Sequence, residues 1–99
     1  MAYMVYVIPQ AWQEMKVLPG NMRQRIRRLI DALPNEPIPQ RSKELRITAD
    51  GVVLYRLRLD RWRLIYAIDQ NLQLIQVLAI RKRPPYNYDD LDALLQQLH

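Results

Sequence analysis

The 99-residue sequence contains no cysteine, and its single histidine is the last residue, His99. Without cysteine there is no disulfide and no thiolate metal site. A terminus that frays is a poor place to hold a general base or a metal ligand. The two glycines cannot build a glycine-rich phosphate loop. Acidic residues are scattered, not paired. Hydrolysis by a metal, by a Ser/His/Asp set or by two carboxylates therefore has little support. The expected cofactor and metal content is none. Phenylalanine is also absent, but six tyrosines, two tryptophans and many aliphatic residues replace its bulk.

What is present fits one globular domain spanning residues 1–99. At 49% hydrophobic and 25% charged, the chain can bury a core. The apolar run Met1–Ile8 is short, lacks a basic leader and stops at Pro9-Gln10. It reads as neither a signal peptide nor a membrane span, and a cytoplasmic protein is the expectation. Net charge is +5, and with Asp89, Asp90 and Asp92 set aside residues 1–88 carry 15 basic and 7 acidic residues, a net of +8. Such a surplus suits a polyanion or an acidic protein partner.

Residues 2–8 read as a strand with two apolar faces, near the centre of a sheet or covered on both sides. Pro9 suits a helix start, and Ile8, Ala11, Trp12, Met15 and Leu18 follow helical spacing until Pro19-Gly20. A second helix is expected from Asn21, as N-cap, to Leu33, with Met22, Ile26, Leu29, Ile30 and Leu33 as its apolar stripe. The two form a hairpin that must pack on a sheet. Residues 34–43, with three prolines, make a loop in which Arg41 and Lys43 could reach a ligand. Residues 44–48 read as a short strand, and Asp50-Gly51 as a hairpin turn.

The densest pattern runs from Val52 to Tyr88. In the strand 52–59, Val53, Tyr55, Leu57 and Leu59 make one apolar face, with Arg56 and Arg58 on the other. After an Asp60-Arg61 turn, the strand 62–68 puts Trp62, Leu64, Tyr66 and Ile68 on one face and Arg63 on the other. Arg56, Arg58, Arg61 and Arg63 then share a surface, where like charges repel unless an anion relieves them. The apolar strand 72–80 ends in Arg81-Lys82-Arg83, then Pro84-Pro85 and Tyr86-Asn87-Tyr88. A closing helix, 89–98, carries Leu91, Leu94, Leu95 and Leu98 at i, i+3, i+4, i+7. Taken singly, each arginine is as readily a solvated hairpin face, and Tyr55, Trp62 and Tyr66 read as core. The conjunction points to function.

Arginine, lysine and tyrosine suit one reaction well, attack of an RNA 2′-hydroxyl on its own phosphate. The nucleophile belongs to the substrate, so the protein holds geometry and stabilises phosphorane charge. Guanidinium forks fit phosphate oxygens. Arginine is a poor base, so a tyrosine or lysine would move protons, or the tyrosines would stack on bases.

In order and spacing, Tyr55-Arg56-Leu57-Arg58, Trp62-Arg63-Leu64-Ile65-Tyr66, the strand 72–80, Lys82-Arg83 and Tyr86 or Tyr88 resemble the RelE/ParE superfamily of bacterial toxins from toxin–antitoxin pairs. The resemblance covers nearly the whole chain. It implies an α+β fold, β-α-α-β-β-β-α: an antiparallel sheet of about four strands packed by the N-terminal two-helix hairpin, plus a short C-terminal helix. In the RelE branch it implies metal-independent endoribonuclease cleavage of mRNA, often on the ribosome, with a cognate antitoxin as partner. Arg63 and Arg83 then match the phosphate-binding and transition-state arginines, and Tyr86 or Tyr88 the C-terminal aromatic. Lys82 joins this catalytic set, with Arg56, Arg58, Arg61, Arg81 and Lys43 as RNA-binding residues. The family's usual glycine before the aromatic-Arg pair is replaced here by Asp60-Arg61. The alternatives are a ParE-like topoisomerase inhibitor without chemistry of its own, and a non-catalytic RNA- or partner-binding domain.

Overall fold

The computed structural model describes residues 3–82, with Ala93 and Gln96 as isolated positions. The elements are β1 (Met4–Val7), α1 (Pro9–Lys16), α2 (Gly20–Ala32), β2 (Ser42–Ile47), β3 (Val53–Leu59), β4 (Trp62–Asp69) and β5 (Leu74–Lys82). They build an α+β fold around one five-stranded sheet, ordered β1-β5-β4-β3-β2. The expectation of about four antiparallel strands is corrected. There are five, and the sheet is mixed, because β1 pairs with β5 in parallel. The helix hairpin carries the chain from β1 at one edge to β2 at the other, and the antiparallel strands that follow bring it back to β5 beside β1. The expected C-terminal helix lies outside the described residues.

β1 is an edge strand, not a central one. Val5 and Val7 face the helices while Met4, 73% exposed, and Tyr6 face the other way. Met and Tyr tolerate exposure, which hid the period-two alternation in the sequence. α1 buries Ala11 and Met15, but Trp12, assigned to its stripe by spacing, is half-exposed. α2 buries Met22, Ile26 and Ile30 as its spacing predicts. Its N-cap is Pro19, not Asn21. Asn21 sits within the first turn, where its Oδ1 accepts from the Met22 N–H at 2.9 Å. Pro19 is already extended (ψ 145°), so the cap falls two residues earlier than expected and the helix begins at Gly20.

The sheet register sorts the side chains into two faces, since directly paired residues share a face. On the helix face lie three cross-strand rows: Val53–Ile68–Ile75–Val5, Tyr55–Tyr66–Val77–Val7 and Leu57–Leu64–Ile80. Most of these are fully buried, and each large aliphatic side chain removed from water contributes on the order of 1.5–3 kcal/mol. Tyr66, also fully buried, donates its hydroxyl to the Pro37 carbonyl at 2.8 Å and stacks on Tyr55, so the proline-rich loop is tied to the sheet. β5, expected as a central strand covered on both faces, is buried from Ile75 to Ile80.

Candidate functional site

The opposite face of the sheet carries the charge. Arg58 pairs with Arg63, and Arg63 with Arg81, so three arginines from β3, β4 and β5 stand in one cross-strand row. Adjacent strands lie about 4.8 Å apart, which crowds these cations far more than a solvated face requires. One pleat away, Lys43 of β2 pairs with Arg56 of β3 on the same face. Ile65 and Ala79 continue that second row and are buried, so apolar packing fixes the backbone beneath the cations.

Three of the four arginines grouped by strand parity, Arg56, Arg58 and Arg63, do share this face. Arg61 sits in the two-residue connection between Leu59 and Trp62 and is exposed there. Lys82 pairs with Trp62, which places it at the helix-face parity. Arg83, Tyr86 and Tyr88 lie outside the described residues.

The cations of the row differ in how they are held. Arg63 donates through Nη1 to the carbonyls of Asp60 and Trp62, both at 3.0 Å, which locks its guanidinium against the hairpin end. Arg81 donates through Nε to Glu14 Oε2 at 2.6 Å. The other oxygen of Glu14 accepts the backbone N–H of Ile80 at 2.8 Å. β1 stops pairing with β5 at Val77, so the edge of β5 beyond it needs another acceptor, and α1 supplies it. The side chains of Arg41, Arg56 and Arg58 make no hydrogen bond or ion pair among the described residues, and with Asp60 they line one open cleft.

The sequence marked Arg41 as a loop residue able to reach a ligand but did not set it beside the strand arginines. The structure brings it to Arg58, because Ser42 pairs with Leu57 and Arg41 precedes it. The Ser42 N–H and hydroxyl both donate to the Pro39 carbonyl (2.9 and 2.6 Å), which tightens the turn that delivers it. Asp60 also emerges only from the structure. It adopts φ 54°, the left-handed region that Asp and Asn tolerate better than most residues. Its Oδ2 accepts from Arg25 Nη1 at 2.8 Å, tying the β3–β4 turn to α2.

Two tyrosines of the helix face have their hydroxyl pKa raised. Burial pushes Tyr66 up to about 12, and burial, helped by the Glu44 carboxylate, raises Tyr55. Both are thereby poor proton donors, and both lie on the far side of the sheet from the arginine row. Proton transfer at that row would have to involve other groups.

Residues 9–84 match the family model described as the ParE toxin of type II toxin–antitoxin systems, parDE. Among solved structures, the chain is similar to one in the archaeal RelE–RelB complex from Pyrococcus horikoshii OT3. That likeness has 29% identity and a TM-score of 0.77, over 87% of this chain and 100% of that one. It is also similar to a chain of the toxin–antitoxin complex RelBE2 from Mycobacterium tuberculosis (24% identity, TM-score 0.69, 84% of this chain, 100% of that one). The isolated RelE toxin of E. coli gives 20% identity and a TM-score of 0.68, over 98% of this chain and 100% of that one. These last two likenesses concern the fold. A search of curated protein sequences finds no match.

Proposed function

The chain belongs to the RelE/ParE superfamily, the toxins of type II toxin–antitoxin systems, and on that premise we propose that it is a metal-independent endoribonuclease acting on mRNA, with the ribosome as the setting. The observation that carries this reading is the in-register row Arg58–Arg63–Arg81, with Lys43–Arg56 beside it on the same face. A row of guanidiniums on a rigid sheet offers pre-positioned donors to successive phosphate oxygens. The cleavage step needs little more from the protein. The 2′-oxygen attacks the adjacent phosphorus, the bond to the 5′-oxygen breaks, and the products are a 2′,3′-cyclic phosphate and a 5′-hydroxyl. Arg63, already locked in place, binds the scissile phosphate, and Arg83 stabilises charge as it gathers in the transition state. Arg56, Arg58, Arg61, Arg81 and Lys43 hold the backbone. Either Tyr86 or Tyr88 moves the protons or stacks on a base; Lys82, whose register puts it with Trp62, would serve only by reaching round the end of β5. A cognate antitoxin covers the basic face and holds the toxin inactive, as the relatives solved together with RelB suggest by analogy.

Mapping RNA ends after brief induction tests this reading. Wild type should accumulate new 5′-hydroxyl ends, and Arg83→Ala should lose both these ends and toxicity while remaining folded. Co-expressed antitoxin should restore growth. Full toxicity in a folded Arg63→Ala/Arg83→Ala protein would sink the mechanism.

One observation favours a second reading. The family model that matches residues 9–84 is that of ParE, which supports a topoisomerase inhibitor that does no chemistry. Under that reading, induced cells keep intact mRNA and accumulate DNA breaks instead.

A further inference from the structure

Arg41, Arg56, Arg58 and Asp60 line an open, largely polar cleft of about 420 Å³. Its three guanidiniums have no counter-ion among the described residues. The cleft also contains a carboxylate, Asp60, whose ion pair with Arg25 uses only one of its two oxygens. Asp60 occupies φ 54°, where glycine would be strain-free, and its side chain is 60% exposed. If the cleft only held phosphate, an anion on its wall would weaken it. A carboxylate accepts hydrogen bonds and donates none. Its Oδ2 is engaged by Arg25, but each carboxylate oxygen can accept a second bond. Cations for a backbone phosphate, next to an acceptor for a base, are the elements of a nucleotide subsite.

We propose that this cleft binds one nucleotide of the RNA, with Arg41, Arg56 and Arg58 on its flanking phosphates and the Asp60 carboxylate selecting guanine. Guanine alone among the four bases presents two adjacent donors, N1–H and the 2-amino group, on its Watson–Crick edge, which match the two oxygens of a carboxylate. Adenine and cytosine offer one amino group, and uracil a single ring N–H. The inference rests on RNA being the ligand of the basic face, but not on cleavage, so a binding assay separates the two.

The probe is a short oligouridine, the same oligomer with one guanosine, and the same with one inosine, which lacks the 2-amino group. Fluorescence anisotropy should find guanosine bound about 5–50-fold more tightly than uridine, the range expected of a good bidentate base contact, with inosine between. Asp60→Asn keeps the left-handed backbone but removes the charge. It should cut the guanosine preference to less than about 3-fold while oligouridine binds as well as before or better, since an anion has left the cleft. Arg25→Gln breaks the same ion pair from the helix side and should leave the preference intact. Arg41→Ala should weaken all three oligomers alike and reduce the salt slope by about 0.7. Equal binding of guanosine and uridine by the wild type overturns the proposal. So does an unchanged preference in Asp60→Asn, or its loss in Arg25→Gln, which would reduce Asp60 to a tether. Failure of every oligomer to bind removes the subsite, while the RNA ends mapped in induced cells still decide the nuclease reading. Guanosine-selective binding without cleavage would leave the subsite standing and remove only the nuclease.

Discussion

Asp60 serves the turn in two ways, accepting a left-handed backbone and bridging to Arg25. Alanine at φ 54° carries the full left-handed penalty and loses the Arg25 bridge. Asp60→Ala should therefore destabilise by about 1–2 kcal/mol in urea unfolding, and Asp60→Asn by clearly less. Tyr66 makes a separate prediction. Its hydroxyl titrates near 12 when folded, above the ordinary tyrosine value of 10, so the unfolded chain loses its proton first. Stability is then fully present below pH 10 and falls as pH rises from 10 towards 12. Tyr66→Phe should flatten this alkaline fall and cost about 0.5–1.5 kcal/mol at neutral pH, because the Pro37 carbonyl loses its donor. An equally steep alkaline fall in the phenylalanine variant would assign it to other groups. Strand parity alone made Tyr66 legible as core. Nothing local foretold the backbone angle of Asp60, since Asp-Arg is an unremarkable dipeptide until a two-residue connection forces the bend.

The arginine row shows how far period-two reasoning reaches in strands. It separated Arg56, Arg58 and Arg63 from their apolar neighbours correctly, because strict alternation survives within a hairpin closed by a two-residue turn. It could not set Arg81 beside Arg63, because that depends on the β4–β5 register, which shifts at a bulge near Ile65 and Tyr66. Nor could it find Glu14, which is 67 positions from Arg81 in sequence. Glu14 performs two tasks, and its substitutions separate them. Glu14→Ala removes the acceptor of the Ile80 N–H and of the Arg81 Nε–H and should cost about 1.5–3 kcal/mol in denaturant unfolding. Glu14→Gln keeps a neutral acceptor and should recover part of that loss. Equal losses in both would mean that the charge, not the hydrogen bond to the β5 edge, does the holding.

For the molecule as a whole, the element order from β1 through α2 was legible because helical and strand periods alternate cleanly between proline and glycine punctuation. The strand count and the mixed sheet were not. Whether β1 joins the far edge, and in which direction, is decided by pairing across the full chain. β1 meets β5 about 70 residues later, Met4 against Leu74. The β3–β4–β5 meander, by contrast, is built entirely from neighbours in sequence. Loop-closure entropy opposes the first kind of contact until the second is largely formed. The folding order that follows is meander first, N-terminal strand last. Glu14 arrives only with that last strand and its helix. Until then Arg81 lacks its Glu14 contact. A chain caught before β1 docks would own most of its secondary structure yet lack the contact from α1 that orients Arg81, so the closing of the sheet is also what finishes the cationic face.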